Sequence, residues 1–298
     1  MKILLATDGS ESSLQALHYL KDLRCQNAIS VTVFTAIAYP QPILGDVATD
    51  WIPDYLLHQH DVAREHQTQC LTSLHEAGLI AESVVEDGDP GTRIVEKADE
   101  LGVDLVVVGA KGHSAIDRIL LGSVSDYVAT HCNCSVLVHR TVSESGTDAN
   151  AAPILISVDG TEASDMAVRH FSQFNWPETV VGSVFCVVPV VRTFRRDLFP
   201  SAMAQAAQRR DAARRETQRV ALRLENCFGE LQTDVVESDH VGDAIVNQAD
   251  KLNANVLVLG DSGRGMVGRL LLGSESRYVL HHAECSVWIG RDREVAVT

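Results

Sequence analysis

Basic residues, aromatics and cysteines are all in short supply in this sequence, and long apolar runs are missing. Lys and Arg number 25 against 40 Asp and Glu, a formal charge of −15. A nucleic-acid footprint needs clustered Lys and Arg to displace phosphate counterions, so no nucleic-acid partner is expected. The seven cysteines are odd in number and scattered along 298 residues. They form no disulfide framework, and a reducing, cytoplasmic setting is the expectation. The longest nearly apolar stretch, Val180 to Val191, is twelve residues long and is interrupted by Gly182, Ser183 and Pro189. A membrane helix needs ~20, so no membrane span is expected. The opening MKILLATDGS has four apolar residues before Thr7 and Asp8, too few for the core of a secretion signal.

The chain has the length of about two domains at ~150 residues each, and 45% hydrophobic content allows a sizeable core in both. It also repeats. ILLATDGSESSLQAL at Ile3 to Leu17 returns as ILISVDGTEASDMAV at Ile154 to Val168, an offset of 151. The same offset carries Gly109, Gly112, Gly122 and Ser123 onto Gly260, Gly263, Gly273 and Ser274, and His131, Cys134 and Ser135 onto His282, Cys285 and Ser286. The halves therefore match from Asp8 to Ser135 with no net insertion, and residues 1–140 and 153–298 are expected as two copies of one domain. RTVSESGTDANAAP between them reads as a linker.

Within the first copy, strands are expected near Ile3–Ala6, Ser30–Ala38, Glu82–Glu86, Asp104–Gly109 and Ser135–His139. Helices are expected near Glu11–Leu23, Tyr55–Ala77, Pro90–Leu101 and Ser123–His131. DLVVVG and NVLVLG are apolar without alternation, as parallel strands covered on both faces are. Each copy thus reads as a doubly wound α/β domain with a five-stranded parallel sheet, whose ligand sits beyond the carboxyl ends of the strands where strand order reverses. Asp8-Gly-Ser after the first strand and the glycine loop after the fourth both lie at such ends.

The loop has the pattern G-x2-G-x9-G-S, Gly109, Gly112, Gly122 and Ser123, repeated as Gly260, Gly263, Gly273 and Ser274. Glycines allow close backbone approach to a ligand, and free N–H groups at the start of the next helix, with the Ser hydroxyl, can bind phosphate oxygens. Asp8, across the crevice, could hydrogen-bond a ribose or adenine edge or hold a metal ion against the phosphates, and Asp159 is its counterpart. A lone glycine loop is often no more than a turn. Here each loop is partnered by Asp-Gly after the first strand, and both copies keep the same glycines while diverging elsewhere.

These loops, together with the openings ILLATDGSESS and ILISVDGTEAS, resemble the ATP-binding pattern of the universal stress protein family in its tandem two-domain form. The resemblance covers nearly the whole chain. It implies a Rossmann-like fold, adenine-nucleotide binding, a role in survival under stress, and dimers that pair through the last strand of each domain. By position it implies that Thr7, Asp8 and Ala36 line the adenosine side and Gly109, Gly112, His113, Gly122, Ser123 and Ser125 the phosphates. The second copy offers Val158, Asp159, Val187, Gly260, Gly263, Arg264, Gly273, Ser274 and Ser276. ATP is the implied ligand, with magnesium held indirectly at Asp8 and Asp159. In a tandem chain the two last strands can meet each other, so the expectation is an intramolecular imitation of the family dimer, with a further homodimer permitted but not required.

The second copy departs from the first. It has Asp239-His240-Val241 where the first has Gly88-Asp89-Pro90, and it places Asp261 inside its phosphate loop. A carboxylate ~4 Å from a phosphate costs up to ~4 kcal/mol at an effective dielectric near 20 unless magnesium, Arg264 or Arg269 compensates, which ranks the first site above the second. Other patterns carry less. GRGMVG at Gly263 to Gly268 matches G-x-G-x-x-G but follows the fourth strand of its copy and lacks the acid ~20 residues on. No G-x-x-x-x-G-K-[ST] occurs. HCNC at His131 to Cys134 becomes HAEC in the second copy and reads as a helix end with buried Cys, and the Arg-rich stretch from Arg209 to Glu225 as the solvated face of a long helix. The sequence thus points to an ATP-binding regulatory or protective factor, with a slow ATPase or phosphotransferase as the alternative. Catalysis needs a base or water-orienting group. His113 is the candidate in the first copy, and Arg264 stands in its place in the second.

Overall fold

The computed structural model describes residues 1–40, 51–112, 121–141, 152–190, 199–261 and 272–291. They divide into two compact units that part between Arg140 and Thr141. The first unit runs β1 (Lys2–Ala6), α1 (Glu11–Asp22), a two-residue β2 (Arg24–Cys25), β3 (Ser30–Ile37), α2 (Ile52–Glu76), β4 (Ile80–Asp87), α3 (Pro90–Leu101), β5 (Leu105–Gly109), α4 (Ser123–His131) and β6 (Ser135–His139). The second runs β7 (Ile154–Ser157), α5 (Glu162–Phe171), a two-residue β8 (Phe174–Asn175), β9 (Val181–Pro189), α6 (Phe199–Leu224), β10 (Glu230–Ser238), α7 (Val241–Leu252), β11 (Val256–Gly260), α8 (Ser274–His282) and β12 (Ser286–Gly290). The expected alternation is present in both. Helix α2 starts three residues ahead of the expected Tyr55 because Pro53 occupies its first turn, where a missing N–H costs nothing.

Each unit holds a five-stranded parallel sheet. In the first, β1 pairs with β3 and β5, β3 with β4, and β5 with β6, giving the order β6-β5-β1-β3-β4. In the second, the order is β12-β11-β7-β9-β10. Strand order reverses between β1 and β5, and between β7 and β11, so crevices open beyond the carboxyl ends of those pairs. All five residues of β5 and of β6 are buried, as strands covered on both faces require. The second core is more aromatic: Trp288 on β12 meets the rings of Phe171 and Phe174 edge-on at 5.6 and 5.2 Å. Among the described residues, no helix is long and apolar enough to cross a membrane.

The offset between the copies is not uniform. Ser30 pairs with Ile80 in the first sheet and Val181 with Glu230 in the second, so it is 151 on β3 and β9 but 150 on β4 and β10. The ion pair His60–Asp87 likewise returns as Arg210–Glu237. The extra residue of the second copy enters before α7, at Asp239-His240, and restores 151 from there on. Residues on α2 therefore correspond to α6 at 150, so His66 answers to Glu216.

That inserted residue also changes a helix cap. Asp89 accepts the Thr92 N–H at 3.0 Å and its hydroxyl at 2.8 Å, whereas His240, at the head of α7, caps nothing with its side chain. The bonds from the Thr92 amide and then its hydroxyl favour the ionised carboxylate and hold Asp89 below its ordinary range. Stability from this cap is thus present above the unfolded carboxyl value of ~3.9 and is lost as pH falls through the lower folded value. Asp89→Ala is expected to cost ~1 kcal/mol at neutral pH, read as faster hydrogen exchange of the α3 amides, and clearly less at pH 2. An equal loss at both pH values would count against the cap.

Candidate functional site

The first crevice begins with a turn. After β1, Asp8 Oδ1 accepts the Ser10 N–H at 3.0 Å, Gly9 adopts φ +79°, and the Ser10 hydroxyl caps α1 by accepting from the Ser13 N–H. The second copy repeats this: Asp159 Oδ1 accepts the Thr161 N–H at 2.9 Å and hydroxyl at 2.6 Å, Gly160 has φ +76°, and Thr161 caps α5. One oxygen of each aspartate is therefore committed to shaping the turn. The other oxygen of Asp8 lies against the glycine loop, since a Cβ built on Gly112 would fall 2.8 Å from Asp8 Oδ2. Gly109 is needed for packing: a Cβ there would lie 2.6 Å from the Ser12 hydroxyl and 2.8 Å from the Ser12 carbonyl carbon. Neither glycine has a positive φ. Space, rather than an unusual turn conformation, is what they provide.

Helices α4 and α8 open the phosphate side of the expected sites. Both begin after a glycine, Gly122 or Gly273, which supplies no side-chain cap, unlike Ser10, Asp89 and Thr161 ahead of α1, α3 and α5. First-turn N–H groups at such a helix start can be met by an anion or by water. Ser125 and Ser276 are buried and donate their hydroxyls to the strand-end carbonyls of Gly109 and Gly260, at 2.7 and 3.0 Å. They hold helix start and strand end together.

Thr7, Asp8, Ala36, Gly109, Gly112, Gly122, Ser123 and Ser125 line one cavity of about 230 Å³ in the first unit. Val158, Asp159, Val187, Gly260 and Ser276 line another of about 670 Å³ in the second. Gly273 and Ser274 stand at the start of α8 without lining it, while His113, Gly263 and Arg264 lie outside the described residues, as do the GRGMVG stretch and Arg269. Sequence reading missed Ile94 and Lys111 in the first crevice and Cys186, Glu216 and Glu275 in the second. Lys111 stands between Gly109 and Gly112 and Glu275 directly after Gly273-Ser274, whereas no motif marks Ile94, Cys186 or Glu216, which packing brings in from strands and helices far apart in the chain. Cys132 and Cys134 are buried free thiols, as expected of a helix end. Among the described residues, no three His, Cys, Asp or Glu side chains gather into a metal site.

Thr7 sits at the floor of the first crevice, its hydroxyl 3.0 Å from Ser13 Oγ and 2.8 Å from His66 Nε2. In the second copy the matching residues are Val158 and Glu216, which cannot make this bond. Glu216 instead binds Arg219, Oε1 at 2.7 Å and Oε2 at 2.9 Å, and Arg219 also pairs with Asp165.

Asp261 behaves differently from expectation. Rather than confronting a phosphate, its carboxylate is buried: Oδ2 pairs with Arg291 Nε at 2.8 Å and Oδ1 accepts the Gly273 N–H at 3.2 Å. In the first copy a backbone bond does the latter work, the Gly122 N–H donating to the Ala110 carbonyl at 2.8 Å. A side chain and its counter-ion have thus replaced a carbonyl in tying the two ends of the loop, and the repulsion expected from Asp261 is neutralised within the protein.

The universal stress protein family model matches residues 1–140 and again 151–291. A universal stress protein of Mycobacterium tuberculosis is 28% identical over 303 residues, covering 97% of this chain and 96% of its own. One from a Synechocystis strain is 33% identical over 148 residues, 46% of this chain and 96% of its own length. The crystal structure of a universal stress protein from Archaeoglobus fulgidus superposes with a TM-score of 0.65 at 21% identity over 98% of each chain, a likeness of fold.

Removing one member of a buried ion pair strands the other charge, which typically costs ~3–5 kcal/mol, whereas replacing both with apolar residues is often neutral. Asp261→Ala is expected to lower the unfolding free energy of the second unit by about that amount, and Asp261→Ala with Arg291→Met to recover most of it, as read by urea denaturation. Equal losses in the single and double variants would show that Asp261 contributes by some other route.

Proposed function

The chain belongs to the universal stress protein family, and we propose on that premise that it is an ATP-binding regulatory or protective factor of the stress response, with the first crevice as its principal nucleotide site. The observation that carries this reading is the approach of Gly112 to Asp8: a Cβ at Gly112 would fall 2.8 Å from Asp8 Oδ2, so any side chain there has to displace that carboxylate oxygen. That approach brings the glycine loop, the uncapped start of α4 and the end of β1 around one space.

In that space the first-turn N–H groups of α4, the Ser123 hydroxyl and Lys111 meet the phosphates, while Thr7, Asp8 and Ala36 face the nucleoside. Magnesium bound with the phosphates would be held from Asp8, and from Asp159 in the second crevice; it would supply countercharge. The cavity of about 230 Å³ is smaller than the ~300–1,000 Å³ of enclosed ligand sites, so part of an ATP molecule projects from it. A ligand held this way can be sensed by a partner. Such binding fits a sensor better than a catalyst. His113 and Arg264 differ in chemistry at the same loop position, so the two copies share no base, and hydrolysis is expected far below the ~10 s⁻¹ median of enzymes.

The test is calorimetric titration of ATP into the parent and into Gly112→Val. The valine side chain must displace Asp8 and is expected to weaken ATP binding in the first crevice at least tenfold while the circular dichroism spectrum stays that of the parent. Undiminished affinity in a folded variant would remove the phosphate assignment. A steady turnover near 10 s⁻¹, lost in Asp8→Ala with Asp159→Ala, would move the protein into the enzyme class.

A further inference from the structure

Two side chains of α2 bridge that helix to the first sheet, and neither bridge recurs at the matching positions of the second unit. His66 Nε2 lies 2.8 Å from the Thr7 hydroxyl. Gln67, buried, donates to the Thr35 hydroxyl at 3.2 Å and to the Val84 carbonyl at 2.7 Å. With α2 tied down in this way, none of its described residues lines the first cavity. In the second unit the register of the copies puts Val158 and Glu216 in place of Thr7 and His66, and Cys186 and Thr217 in place of Thr35 and Gln67. Val158 has no hydroxyl, and both carboxylate oxygens of Glu216 are held by Arg219. Thr217 is shorter than glutamine and turns its hydroxyl back to the Arg214 carbonyl of its own helix at 3.0 Å. Space opens between β9 and α6 as a result: the second cavity reaches about 670 Å³ against about 230 Å³, and Arg209, Ala212, Ala213 and Glu216 of α6 enter its wall.

Small apolar groups line this added space where it leaves the crevice. Val158 and Val187 stand at the positions of Thr7 and Ala36, on the side assigned to the nucleoside, and Cys186, Ala212 and Ala213 line the same cavity beyond them. Burial first, then the charges of Asp159 and Glu216, push the Cys186 thiol up to about 11, so it stays protonated and packs as a small apolar group. We propose that the second crevice takes an adenine-class ligand whose base carries an apolar substituent, seated between β9 and α6 against Val158, Cys186, Val187, Ala212 and Ala213. The inference rests on the adenine-binding reading given above and divides the copies by the size of the base: the first crevice suits the plain purine, the second an enlarged one. Removal of the substituent's surface from water drives the preference. In the first crevice the same substituent would have to part His66 from Thr7 or Gln67 from Thr35, and buried polar groups left unpaired count against it.

The experiment titrates the full chain calorimetrically with ATP, adenosine, N6-benzyladenosine and 2-phenylaminoadenosine, and follows amide hydrogen exchange in each complex. At least one substituted nucleoside is expected to bind ~10-fold or more tightly than adenosine and to slow exchange in α6 around Ala212 and Ala213, with no matching change in α2. Transplanting the first copy's bridges, as Val158→Thr with Glu216→His or as Cys186→Thr with Thr217→Gln, should cut that advantage about fivefold. Ala212→Phe, at an exposed position on the wall of the same space, should do likewise and leaves the core untouched. The proposal is overturned if neither substituted nucleoside binds more tightly than adenosine, if the variants that stay folded by circular dichroism keep the full advantage, or if the tighter ligand protects α2 and leaves α6 unchanged. It is overturned as well if ATP binds and none of the three nucleosides does. A chain that binds no adenine compound at all would bring down the nucleotide reading itself, a result distinct from each of these.

Discussion

A missing methyl-sized volume at the end of the fourth main strand governs the site in each unit. Gly109 lets the backbone of Ser12, in the first turn of α1, rest directly on the end of β5, and Gly260 gives α5 the same access to β11. Any side chain at either position would lift the helix start off the strand. The turn that carries Asp8 or Asp159 would move with it, and the crevice would lose its shape. Ser125 and Ser276 complete the clamp by bonding the same glycine carbonyls from the next helix. The geometry is therefore imposed by packing at the topological switch point, and the ligand-facing groups inherit it.

On that shared frame the two copies have been altered in ways that preserve the frame and change the chemistry. Asp261 and Arg291 rebuild, with a buried ion pair, a loop closure that the first copy makes with a backbone carbonyl. Buried pairs of this kind stabilise little in net terms but are costly to break singly. At the crevice floor, exchange of Thr7 and His66 for Val158 and Glu216 removes one hydrogen bond and opens the cavity. Each exchange is silent in the strand and helix pattern.

Much of the architecture can be read along the chain. Apolar runs without alternation mark strands buried on both faces, the Asp89-Pro90 pair marks the start of α3, and Gly122-Ser123 marks that of α4; these helices begin where the residue types require. The candidate loop is legible for the same reason, since glycine, serine and aspartate act through local backbone chemistry. Less legible is the register between the copies. A loss of one residue ahead of α6 and a gain of one before α7 cancel, so both ends of the repeat align at 151 while α6 and β10 sit at 150. The correspondence of His66 with Glu216 is invisible until strand pairing fixes it.

By itself the sequence determined two copies of a parallel α/β domain, the positions of their glycine loops and turns, and the family to which they belong, because these depend on short-range conformational preference and on spacing. Only the tertiary structure decided which distant side chains confront one another. It placed Arg291 beside Asp261 and Glu275 with Asp159 at one cavity, and it showed that Gly109 serves packing while Gly112 yields space to a carboxylate. Charge and volume in a crevice are sums over residues that meet only when several strands and helices pack together, and no local pattern along the chain carries that sum.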